Sequence, residues 1–157
     1  MKGLKGFGLI EIVIAASIIS TAVISLSYVL VLSNRLSARS SDEIRANFIA
    51  EEGIEVMRFL RDKGWNSNFA LLSPSTIYYI SFNTITSKWA TTTSNPGLLD
   101  GLFDRTIKVS SVNRDGDDNI TLVGGVLDEG SLKITSKVKW PYGTTTVETY
   151  LSNIFVN

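Results

Sequence analysis

The chain of 157 residues contains no cysteine and no histidine. The first absence excludes disulfides, thiolate metal sites and thiol nucleophiles; the second removes the commonest general base. A chain without cysteine suits an oxidising or a reducing compartment equally. Net charge is missing too, because 15 Lys and Arg offset 15 Asp and Glu. No long-range field therefore recruits nucleic acid or an acidic partner. No catalytic triad, metal-ligand cluster or phosphate-binding glycine loop occurs, so no enzymatic activity is expected. Proline is scarce, with three residues in all, and none interrupts the first 63 positions. A helix can run through that whole stretch unbroken.

The chain does have one long apolar run. Between positions 7 and 32 the single charge is Glu11. About 20 apolar residues cross a bilayer, so the run is long enough to do so. It is longer than the apolar region of a secretory signal, about 7–15 residues, and no clear stop follows it. Lys2 and Lys5 precede the run, while Arg35 and Arg39 lie beyond it. The leading lysines favour a cytoplasmic N-terminus, giving one pass with the bulk of the protein on the far side. Glu11 is the anomaly. A carboxylate in hydrocarbon costs about 2.5–3.5 kcal/mol on insertion scales, and a plain anchor gains nothing from it.

Residues 33–63 turn amphipathic. Ala46, Ile49, Gly53, Val56 and Leu60 recur at helical spacing, with Ile44, Phe48 and Met57 expected to widen the stripe. Gly64 after cationic last-turn residues is a stop signal. The pattern predicts one helix over 7–63, about 80 Å long at a rise of about 1.5 Å per residue. Beyond it the texture changes to Ser, Thr and β-branched residues. Strands are expected at 76–82, 88–93, 105–112, 132–140 and 144–154, with turns at 95–97 and 141–143. In 132–140, Leu132, Ile134, Val138 and Trp140 share one face and Lys133, Thr135, Lys137 and Lys139 the other. The fold class is therefore α+β: a long N-terminal helix whose amphipathic half covers a small C-terminal antiparallel sheet.

The segment Lys5-Gly6-Phe7-Gly8-Leu9-Ile10-Glu11, leading into an unbroken apolar helix, resembles the class III signal of type IV pilins and pseudopilins. The resemblance implies cleavage by a membrane-embedded prepilin peptidase between Gly6 and Phe7, then N-methylation of Phe7. It divides the chain into a leader (1–6), a transmembrane and polymerising half-helix (7–32) and an extracytoplasmic head (33–157). Cleavage would create an α-amino group on Phe7, and Glu11 of one chain could pair with that amine on a neighbour. Such pairs set register better than they add stability. The alternative is a signal anchor that contains a glutamate. Residues 50–55 (AEEGIE), 61–65 (RDKGW) and the closing hairpin with Trp140 look like minor pilins and minor pseudopilins; the glutamates are otherwise a solvated helix face. The chain departs from major pilins in lacking both a cysteine pair and a proline in the apolar helix. The resemblance implies a structural subunit of a type IV pilus (fimbrium) or of a secretion or competence pseudopilus. Its partners would be other subunits, the prepilin peptidase and an assembly platform in the bacterial inner membrane. A major pilin of the fibre, or a single-pass membrane-anchored β-domain that binds a ligand, is the alternative.

Two further stretches are candidate sites. Asn113, Asp115, Asp117 and Asn119 match alternate oxygen positions of a calcium loop, and some pseudopilins bind calcium in such loops. Asp118 stands where that loop needs glycine and Gly124 where it needs glutamate, so the other reading is a turn on Asp115-Gly116. Calcium is thus the one cofactor considered, and none is required. Lys133, Lys137 and Lys139 form a basic stripe, but three lysines on a solvated strand in a neutral chain do not predict nucleic-acid binding.

Overall fold

The computed structural model describes residues 8–154. Helix α1 (Leu9–Lys63) is followed by a five-residue wide helical turn, Trp65–Phe69. Six strands complete the chain: β1 (Ile77–Asn83), β2 (Lys88–Thr92), β3 (Asp104–Arg114), β4 (Ile120–Thr121), β5 (Val126–Trp140) and β6 (Gly143–Ser152). They form one antiparallel sheet in the order β2-β1-β3-β5-β6, with β4 paired to the end of β3. The expected α+β class is the one found. The chain divides into two compact units, Met1–Ser41 and Asp42–Asn157.

In the first unit every described residue is exposed to its surroundings. No side chain of its own chain covers Leu9, Ile12, Ile18, Val23 or Leu30. The hydroxyls in the run are nonetheless satisfied. Ser17, Thr21, Ser25 and Ser27 donate to the carbonyls of Val13, Ser17, Thr21 and Val23 at 2.7–2.9 Å. A hydroxyl bonded back to its own helix needs no partner from the medium, which is what a lipid-facing helix requires.

In the second unit the helix packs on one face of the sheet. Ala46, Gly53, Val56, Met57 and Leu60 are buried as the stripe predicts, Ile49 is half-buried, and Ala50 and Ile54 join the buried face. Ile44 and Phe48 were expected on that stripe but are exposed, at 54% and 66%. The buried face is set by Ala46 and Ala50, small enough to lie close to Phe103 and Val138, which places Ile44 and Phe48 outside the contact. The helix also approaches the sheet closely at Gly53. A Cβ there would lie 2.5 Å from Ser136 Oγ and 3.2 Å from Ile107 Cδ1. The main core gathers Met57, Leu60, Trp65, Phe69, Ile80, Ile107, Val109, Ile134 and Leu151.

The strands extend or shift the expected spans by a few residues. β5 is the largest change, beginning at Val126 and not near Leu132. Its ladder with β3 is irregular between Ser111 and Val112, which pair with Leu132 and Asp128 and leave three β5 residues out of register. That irregularity broke the alternation on which the expectation rested. The turn at 141–143 is tighter than expected: Trp140 pairs with Gly143, so Pro141 and Tyr142 alone connect the strands.

Candidate functional site

Gly6 and Phe7, the expected cleavage and methylation positions, lie outside the described residues. Glu11 is described and stands in the first turn of α1. Its Oε2 accepts the Gly8 N–H at 3.3 Å, while Glu11 N–H donates to Gly8 O at 3.0 Å. A carboxylate at this point meets the positive end of the helix dipole. Glu11 begins a helix that is long and apolar enough to cross a membrane, and the apolar stretch of that helix is nowhere buried. The carboxylate is therefore presented on an open apolar surface and stays accessible to a charge from another molecule.

The loop after β3 holds the four oxygen-bearing candidates. Asp115 Oδ1 accepts the backbone N–H of Asp117 at 3.0 Å and of Asn119 at 2.9 Å. Asn113 donates its side-chain amide to Gly124 O at 3.0 Å. Asp118 takes the left-handed conformation, φ 65°, that the calcium-loop glycine would supply. Arg114 enters the same loop: its Nη1 donates to Asp118 O at 2.8 Å, and its Nε lies 2.7 Å from Asp128 Oδ2. That contact holds the Asp128 carboxyl below its usual range, with the Ser131 hydroxyl assisting. Among the described residues no three carboxylates converge as a metal site would require. The contacts are those of a self-bonded turn with a guanidinium among its acids.

The lysines of β5 are not equivalent. Lys133 Nζ lies 2.7 Å from Glu148 Oε2 and over the Tyr150 ring, whereas Lys139 is exposed. The Glu148 contact raises the Lys133 ammonium above its ordinary value and lowers the carboxyl.

Two features escaped the sequence reading. Arg105 is 6% exposed, beneath the helix, donating to Ile49 O at 3.1 Å with Glu52 at 3.5 Å. Burial pushes its guanidinium downward, and Glu52 opposes that. An alternating Arg-Thr-Ile-Lys-Val string does mark position 105 as inward, parallel to Ile107 and Val109, but burial of a guanidinium needs the helix carbonyl to be in place. The second is a cleft of about 540 Å³ lined by Trp65, Phe69, Leu127, Asp128, Ser131 and Asn153. Its walls come from residues far apart in the chain, so no local motif announces it. No protein-family model matches the chain, and neither a curated protein nor a solved structure matches it.

Proposed function

We propose that this chain is a minor pilin or pseudopilin, a structural subunit cleaved after Gly6, N-methylated on Phe7 and packed with others into a type IV pilus or a secretion or competence pseudopilus. The observation that carries the reading is the pairing of a lone carboxylate, Glu11, with an apolar half-helix whose described residues up to Ser41 are all exposed. Such a surface needs lipid first and other helices afterwards. A fibre core supplies the second, and a neighbour's Phe7 amine supplies the missing charge. The α+β arrangement, with the amphipathic half of α1 laid on the sheet, suits an anchored head of this kind. Localisation in the bacterial inner membrane, N-terminus inward, belongs to the same reading.

Mass spectrometry of the protein isolated with a prepilin peptidase tests it. The expected product starts at methylated Phe7, and Glu11→Gln is expected to leave cleavage intact while abolishing incorporation into fibres. An intact Met1, or any mature terminus other than Phe7, overturns the reading. The cleft beside Trp65 favours a second reading, an anchored β-domain that binds a small ligand, since about 300–1,000 Å³ is the usual size of such sites. That reading requires a chain that is never cut and is indifferent to replacement of Glu11.

A further inference from the structure

Five lysines come after the helix in sequence, Lys88, Lys108, Lys133, Lys137 and Lys139. The strand registers place all five on one side of the sheet. Lys88 pairs with Asn83, whose face holds Ile77; Ile77 pairs with Lys108; Lys108 pairs with Thr135, which alternates with Lys133, Lys137 and Lys139. This side is the one away from the helix, since Tyr78, Ile80, Ile107, Val109, Ile134 and Val138 point the other way into the core. Two carboxylates share the lysine side, Asp104 opposite Lys139 and Glu148 opposite Thr135. Among the described residues only Lys133 of the five has an ion-pair partner. Ile77 and Tyr150, 52% and 41% exposed, lie among them.

The complement is elsewhere on the same unit. Residues 120–127, Ile-Thr-Leu-Val-Gly-Gly-Val-Leu, carry no charge. They form a projecting tip whose Leu122, Val123 and Val126 are 86%, 88% and 77% exposed. Acids flank it on both sides: Asp115, Asp117 and Asp118 before, Asp128 and Glu129 after. β4 and the start of β5 grip Asn113 and Arg114 from opposite sides, so the tip prolongs the plane of the sheet and cannot fold onto its own lysine face. Arg114 answers Asp128 and Asp118, which among the described residues leaves Asp115, Asp117 and Glu129 without a cation beside the apolar tip. Such a tip calls for an apolar surface bordered by cations, and contiguous exposed apolar groups of this kind mark interaction sites.

We infer that the lysine face of one copy receives the acid-flanked tip, residues 115–129, of a second copy of this chain. The two surfaces differ, so the contact is head-to-tail and leaves a pair with one free face on one copy and one free tip on the other. The contact is independent of cleavage at Gly6–Phe7, so its test and that of the proposed function fail separately.

The test uses the full chain in detergent micelles, with self-association followed by sedimentation at low and high salt. A face variant carries Lys108→Glu and Lys137→Glu; a tip variant carries Asp117→Lys and Glu129→Lys, side chains with no bond in their own loop among the described residues. Each variant alone is expected to associate roughly tenfold more weakly than the parent. An equimolar mixture of the two restores association, because each reversed surface then meets its complement. Restoration by mixing also shows that both variants are folded. Parent-like association of the variants, or no restoration on mixing, overturns the inference. So does a face variant that associates normally but loses retention on phosphatidylglycerol vesicles, which would make lipid the occupant.

Discussion

Gly53 shows how much one side chain, or its absence, decides. Glycine inside a helix is about 1 kcal/mol worse than alanine, so on an exposed face Gly53→Ala would stabilise. Here the added methyl would meet Ser136 Oγ at 2.5 Å, Ile107 Cδ1 at 3.2 Å and Arg105 Cδ at 3.3 Å. Gly53→Ala is therefore expected to destabilise by about 1–3 kcal/mol, read as a lower chemical-denaturation midpoint. Ser136→Gly in the same chain is expected to recover part of that loss. The spacing of Ala46, Ile49, Gly53, Val56 and Leu60 made this helix face legible. That a serine and an arginine would lie opposite it was not, because strand alternation reports which side a residue faces and not what stands across from it.

Among the elements, β6 carries the sharpest expectation. Asn153 N–H donates to Gly130 O at 2.8 Å, and the β5–β6 register runs without a shift from Ser131–Ser152 to Trp140–Gly143. This fixes the phase of the ladder: Thr145, Val147 and Thr149 bond to β5, while the N–H groups of Thr144, Thr146, Glu148 and Tyr150 point to the open edge. Proline is tolerated on an edge strand only where the lost N–H faces outward. Thr146→Pro is expected to leave the melting temperature within a few degrees, whereas Thr145→Pro removes a ladder bond and is expected to abolish cooperative unfolding. Calorimetry on both separates the cases, and equal effects would refute the phase. The strand itself was readable from its alternation and the Pro-Tyr turn. β4 and the early start of β5 were not, since both depend on the irregular pairing at Ser111 and Val112.

On the scale of the whole molecule, the unit Asp42–Asn157 contains the core residues from Ala46 to Leu151. A fragment of residues 42–157 is expected to be soluble without detergent and to melt cooperatively, checked by circular dichroism; aggregation on removal of 1–41 would contradict this. Acid stability belongs to the same scale. Asp128 and Glu148 are both held below the ordinary carboxylate range by their cationic partners. A carboxyl lowered by folding adds stability above its unfolded value, and that stability disappears as pH falls through the folded one. The fragment should thus lose stability on acidification below the usual carboxylate range, and Asp128→Asn should flatten that loss in a pH series of denaturation curves.

The residue pattern alone determined the helix, its apolar and amphipathic halves, the isolation of Glu11 and the antiparallel character of the strands beyond Gly64. Period and composition act locally, and each of these is a local property. The tertiary structure decided the rest. It buried Arg105, gathered five lysines from three strands onto one face and set an uncharged tip among acids at the sheet's end. Cross-strand register joins residues as far apart in the chain as Asp104 and Lys139. No period within a single strand records which partner lies beside it.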